Sequence, residues 1–189
     1  MKKVILFLAN GFEEVEALTV VDVLRRAEII CDMCSISDSL SVKSSHGIEV
    51  KADILLKDAD LQSYLGLVLP GGMPGSTNLR DNEKVVTAVQ SFNNDGKILA
   101  AVCAAPIVLE KAGIINKKRV TSHPSVKGDL KPLEYLEEIV VEDGNIVTSR
   151  GAGTSLHFGL KLVEKIVGKE KADAIKDGIM LLFLEEKIK

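Results

Sequence analysis

Short apolar runs alternate with amphipathic stretches along the whole chain, and this alternation limits the possible fold more than any other feature. Val4 to Ala9 is a continuous apolar run stopped by Asn10-Gly11. A run this short without polar alternation suits a strand buried on both faces. Glu13 to Ala27 then predicts a helix, Ile29 to Ile36 a second strand, and Leu65 to Leu69 a short buried strand ended by Pro70-Gly71-Gly72. Asn82 to Asn93 predicts a helix closed by Asp95-Gly96, Ile98 to Val102 a central strand, and Pro106 to Ala112 a helix stopped by Gly113. Arg119 to Ser122 reads as a short strand; Thr154 to Val167 and Lys169 to about Glu185 read as two closing helices.

Two stretches have a different rhythm. Ile48, Val50, Ala52 and Ile54 alternate with Glu49, Lys51 and Asp53, which predicts a half-exposed strand. With Ser41 to Ser45 and the His46-Gly47 turn it forms an expected hairpin, and Ile139 to Ser149 forms a second, turning at Asp143-Gly144. Strands alternating with helices imply an α/β fold with a mostly parallel sheet covered on both faces. No repeat, low-complexity segment or linker divides the 189 residues, so one domain over 1–189 is expected.

Composition narrows the function classes. The formal net charge is -3 and no Lys/Arg run stands out, so a nucleic-acid partner is not expected. No stretch approaches the length of a membrane span, and the N-terminal apolar run lacks the length and cleavage pattern of a signal peptide. The expectation is a cytoplasmic protein without a membrane partner. Three cysteines, an odd number, fit free thiols in a reducing compartment rather than a disulfide frame.

In parallel sheets, ligands bind beyond the carboxyl ends of the strands. That rule selects the loops Asn10 to Glu16, Pro70 to Gly75, Val102 to Pro106, Ser122 to Pro124 and Ser149 to Ser155. Cys103 sits in one of them, between the strand Ile98 to Val102 and Ala104-Ala105-Pro106. A sharp strand-to-helix turn that pushes a nucleophile outward needs small neighbours, and a helix N-terminus favours the thiolate. The residues alone also fit a buried structural thiol.

Glu16 falls off the polar stripe of its helix, formed by Thr19, Asp22, Arg25 and Arg26, and lies beside Val20, Val23 and Ala27. A desolvated carboxyl has a raised pKa and can shuttle protons near neutral pH, although the helix N-terminus opposes that shift. Periodicity fits equally a surface residue at the stripe's edge. Glu13 and Glu14 read as first-turn acids. Of the three histidines, His157 shares a face with Lys161 and Glu164 and is expected in solvent, while His46 is expected to serve a turn. His123 ends a strand at the ligand-binding edge and is the expected partner for Cys103.

Gly71-Gly72 could let backbone N–H groups approach an oxyanion, or form only a tight turn after Pro70. Arg150 to Thr154 fits an anion-binding loop or a connector ending at a Thr154 N-cap. Cys31 and Cys34 form a C-x-x-C, but inside a strand residues three apart face opposite ways, so core or edge positions are expected.

Five stretches together resemble the DJ-1 branch of the DJ-1/PfpI (ThiJ) superfamily, in the family's order. They are Asn10-Gly11-Phe12-Glu13-Glu14-Val15-Glu16, Leu69-Pro70-Gly71-Gly72, Ala101-Val102-Cys103-Ala104-Ala105-Pro106, Val120-Thr121-Ser122-His123-Pro124 and Thr148-Ser149-Arg150-Gly151-Ala152-Gly153-Thr154-Ser155. The resemblance implies a flavodoxin-like three-layer sandwich, usually homodimeric, with a nucleophilic Cys103, a buried partly protonated Glu16, and His123. It places Gly72 and Ala104 at the backbone N–H groups of an oxyanion pocket and implies no cofactor and no metal. Ser125 stands where related amidotransferases carry glutamate, so a glutaminase triad is not expected. His46 stands where many relatives have arginine, and Ala152 where many have proline.

The resemblance implies a cofactor-independent glyoxalase or deglycase-like activity on methylglyoxal and related small dicarbonyls. An alternative on the same residues is a redox-sensing or chaperone-type stress protein working through oxidation of Cys103. A peptidase like some PfpI relatives would need a composite site between subunits.

Overall fold

The computed structural model describes residues 2–188. Lys3–Leu8 forms strand β1, Glu14–Arg26 helix α1, Ile30–Ser35 β2, Ser41–Lys43 β3, Glu49–Lys51 β4, Ile54–Leu55 β5 and Gly66–Leu69 β6. Helices α2 (Gly75–Arg80) and α3 (Glu83–Asn94), strand β7 (Ile98–Val102) and helix α4 (Pro106–Lys111) follow. The chain closes with β8 (Arg119–Val120), β9 (Glu134–Tyr135), β10 (Val140–Asp143), β11 (Ile146–Ser149), α5 (Ser155–Val167), α6 (Lys169–Gly178) and α7 (Leu181–Lys187).

The central sheet has seven strands in the order β10-β11-β7-β6-β1-β2-β5. Every pairing in it is parallel except β10 with β11. The apolar run of β1 explains its central place. Leu6 and Leu8 join the core on one face and Ile5 and Phe7 the core on the other, as the two-residue period of a strand requires. The Leu6 side packs under α1 and α5, with Val20, Leu24, Phe158 and Leu162 buried. The Ile5 side packs under α3 and α4. There Val85, Ala88, Val89 and Phe92 recur at helical spacing, and truncating a buried phenylalanine such as Phe92 to alanine costs about 3–5 kcal/mol. The Asn82 side chain caps α3 by accepting from the N–H groups of Lys84 and Val85.

Several expectations are corrected. The alternating run from Ile48 is not one strand: β4 pairs antiparallel with β3, whereas Ile54–Leu55 crosses to the central sheet as β5. Asp53 makes the break, because its carboxylate accepts the Met33 N–H at 2.9 Å and meets Arg25 at 2.7 Å. Arg119 to Ser122 shortens to β8 and pairs with β9 outside the central sheet. The expected final helix splits after Gly178, where Met180 takes φ 62°. That turn buries Leu181 and brings Glu185 to 2.9 Å from His157 and 2.7 Å from Lys176. Helix α2 has too few apolar residues to show a period and was not expected. Among the described residues, no helix is long and apolar enough to cross a membrane.

Candidate active site

Strand β7 ends at Val102, α4 begins at Pro106, and Cys103 occupies the turn with φ 61°. That left-handed conformation costs a non-glycine residue about 1–2 kcal/mol and persists only where the surroundings impose it. Here the Cys103 N–H donates to the Ser149 carbonyl at 3.0 Å, and the Cys103 carbonyl accepts the His123 N–H at 2.8 Å. The end of β11 and the His123 loop thus clamp the turn. Ala101, Ala104 and Ala105 are buried around it, where larger side chains would collide.

Glu16 lies in the first turn of α1 and is 1% exposed. The Glu13 side chain caps the helix by accepting the Glu16 N–H at 2.6 Å. Glu16 Oε2 accepts the Gly71 N–H at 2.7 Å, and its carboxyl lies beside Cys103. The apolar-face reading of Glu16 is therefore the one the fold adopts.

The two glycines after β6 make this contact possible. A Cβ on Gly71 would fall 2.5 Å from Glu16 Oε2 and 2.6 Å from Cys103 Cβ. Gly72 has φ 89°, and a Cβ there would fall 2.4 Å from the Glu13 nitrogen. Only glycine fits either position. Gly71 differs from its expected role: its N–H is taken by Glu16, whereas the N–H groups of Gly72 and Ala104 face the Cys103 sulfur.

Burial pushes the Glu16 carboxyl up to about 7, against the opposing hydrogen bonds from Cys103 and Gly71. The Cys103 thiol is also pushed up, first by burial and then by the charge and hydrogen bond of Glu16; the N–H groups of Ala104 and Gly72 pull it down. This corrects the expectation of a thiolate favoured by a helix end. Helix α4 has only six residues, and burial, followed by the neighbouring Glu16, dominates at the thiol. The Glu16 contribution reverses once Glu16 takes a proton, since a protonated carboxyl can donate to a thiolate. The protonation of each group therefore depends on the other.

His123 reaches this corner. A Cβ on Gly151 would lie 3.8 Å from His123 Cδ2 and 4.0 Å from Cys103 Sγ, so ring and sulfur flank the same gap. His123 Nδ1 accepts the Ser125 N–H at 3.2 Å and lies 2.8 Å from Ser125 Oγ. No sequence pattern singled out Ser125 or Gly151 for these positions; the His-Pro-Ser run, which lets a side chain cap its own turn, is the signal for Ser125. His46 Nδ1 binds Glu14 Oε1 at 2.9 Å from its turn. His157, expected in solvent, is half-buried against Glu185, because the break at Met180 folds α7 back onto α5.

Cys31 and Cys34 are buried and fall in opposite cores, Cys31 beside α1 and Cys34 on the other face. Thr154 does not cap α5; its hydroxyl bonds back to the N–H and carbonyl of Gly151 at 3.0 and 2.8 Å. Glu13, Glu14 and His46 offer ligand atoms within 4.8 Å of one another, compact enough for an ion, and the His46–Glu14 hydrogen bond accounts for their approach without one.

The chain matches the model of the DJ-1/PfpI family over residues 2–165. It is 39% identical over 165 residues to DJ-1 homolog B of Arabidopsis thaliana, covering 87% of this chain but only 38% of that longer protein. It is 34% identical over 185 residues to the glutathione-independent glyoxalase DJ-1 of Schizosaccharomyces pombe, covering 93% of this chain and 96% of that protein. An oxidized form of Toxoplasma gondii DJ-1 superposes with a TM-score of 0.91 at 32% identity, covering 95% of this chain and 98% of that one. With the family model spanning most of its length and the family's flavodoxin-like fold built around Cys103, this chain belongs to the DJ-1/PfpI family.

Proposed function

We propose that the protein converts small vicinal dicarbonyls such as methylglyoxal to hydroxyacids without a cofactor, through Cys103. The observation that carries this reading is the buried Glu16 carboxyl beside Cys103, pushed up by burial to about 7. A carboxyl with that pKa takes and returns a proton near neutral pH. Cys103 gives its proton to Glu16, and the sulfur attacks the aldehyde carbon. The resulting oxyanion faces the N–H groups of Gly72 and Ala104, then takes the proton back from Glu16. Glu16 next removes the hydrogen on the former aldehyde carbon as a proton and delivers it to the neighbouring carbon. The hydroxyl proton of the first carbon passes to the second oxygen, leaving a thioester and a hydroxyl. Water cleaves the thioester and frees the thiol. One carbon is oxidised and its neighbour reduced, so no external oxidant is needed. The glyoxalase name of the Schizosaccharomyces pombe relative supports the same reading.

The test is hydroxyacid formation by wild type, Cys103→Ser and Glu16→Gln. Wild type is expected to form lactate from methylglyoxal, and both variants to lose it. Unchanged lactate formation by Cys103→Ser would sink the proposal.

A second reading uses the same pair: peroxide oxidises Cys103 to a sulfinate that accepts a hydrogen bond from protonated Glu16. The raised pKa of Glu16 favours it, as does the oxidized state of the Toxoplasma gondii neighbour. Mass spectrometry during peroxide titration separates the outcomes, because oxidation of Cys31 or Cys34 before Cys103 excludes it. We further propose a homodimer: Val15 and Leu18 of α1 and Ile48 of the β3–β4 turn are exposed apolar residues available to a second copy. A purely monomeric species in light scattering at micromolar concentration refutes it.

A further inference from the structure

His123 and Ser125 carry information that the mechanism above leaves unused. A backbone N–H can only donate, so the Ser125 N–H at 3.2 Å requires an unprotonated Nδ1 on His123. In the neutral ring the proton is then on Nε2. No group among the described residues bonds Nε2, and His123 is exposed. The Cδ2 edge adjoining Nε2 borders the Gly151 gap shared with Cys103 Sγ. A carboxylate two residues after the histidine would impose the opposite arrangement, with a proton on Nδ1 and a basic Nε2.

We propose that the backbone N–H of Ser125 fixes His123 as a neutral Nε2–H donor, aimed at the second carbonyl oxygen of the substrate rather than at the Cys103 proton. The inference rests on the dicarbonyl reading and deepens it. When Glu16 removes the proton from the thiol-bearing carbon, the electron pair moves through the new carbon–carbon double bond onto the neighbouring oxygen. The Nε2–H stabilises that oxygen by a hydrogen bond without surrendering its proton, as a neutral imidazole can. The proton taken by Glu16 returns to carbon, so His123 need not change its protonation state. A simple aldehyde has no second oxygen for Nε2–H. His123 therefore discriminates between dicarbonyls and simple aldehydes after sulfur addition.

Nitrogen-15 NMR of histidine-labelled protein tests this directly. Wild type without substrate is expected to show the Nε2–H tautomer at His123, and Ser125→Ala to keep it because the backbone donor remains. In Ser125→Glu the new carboxylate is expected to displace the backbone donor, accept from a proton-bearing Nδ1 and so reverse the tautomer to Nδ1–H, lowering methylglyoxal turnover at least ~10-fold. A Nδ1–H tautomer in wild type overturns the proposal, as does a reversal in Ser125→Glu with turnover unchanged. The tautomer is read without turnover, so a failure of the dicarbonyl reading is distinguishable from a failure of this one.

Discussion

Strand β2 carries two buried thiols and the turn after β7 carries a third, and burial pushes all three up to about 12. Their surroundings differ. Cys31 and Cys34 lie in extended backbone on opposite faces of the sheet. Cys103 is held at φ 61°, with a carboxyl ready to take its proton and two backbone N–H groups beside its sulfur. Thiol acidity alone does not separate the two regions. The distinction lies in a carboxyl buried beside the sulfur and two backbone N–H groups next to it.

The largest expected effect tests that distinction by rate. Cys103→Ser is expected to lower dicarbonyl turnover by at least ~10³-fold, whereas Cys31→Ser and Cys34→Ser leave it within about twofold. Steady-state assays of the three variants decide it, and a comparable loss in Cys34→Ser would erase the contrast.

The next effect is on stability. Because Glu16 is raised from its ordinary 4.5 to about 7, the folded state holds a proton that the unfolded state has already released between those values. The resulting stabilisation is complete below about 4.5 and is lost as pH rises through about 7. Glu16→Gln removes this dependence, so relative to wild type it should gain roughly 2–4 kcal/mol between pH 4 and pH 8, measured by urea unfolding at both. An equal offset at the two pH values contradicts a carboxyl buried with its proton.

The β2 thiols should register in stability rather than rate. Cys31→Ser and Cys34→Ser each place a hydroxyl in an apolar core, at a cost of about 1–3 kcal/mol seen as a lower urea midpoint. The smallest effect concerns the gap before Cys103. Gly151 has extended backbone, so Gly151→Ala folds without strain, but its methyl group narrows the space between Sγ and His123. A several-fold rise in KM with the unfolding midpoint unchanged is expected, about 1 kcal/mol of lost substrate binding.

Much of this was legible in the residues. The apolar run of β1 suited a strand buried on both faces, and its successive residues do face opposite cores. Ala104, Ala105 and Pro106 marked a tight turn around Cys103, and the displacement of Glu16 from its polar stripe marked a carboxyl that could be buried. Local periodicity determines such features because each is a property of one element and its neighbours along the chain. Which N–H of the Gly71-Gly72 pair binds Glu16 was not legible, nor were the departure of β8 from the central sheet and the fold-back at Met180. Each depends on where a group from one segment meets a group from another tens of residues away, or on a single backbone torsion. The sequence by itself determined the layered α/β architecture and the candidate nucleophile at Cys103. Only the tertiary structure joined its proton to Glu16, because burial and Coulomb coupling act through distance in space rather than along the chain.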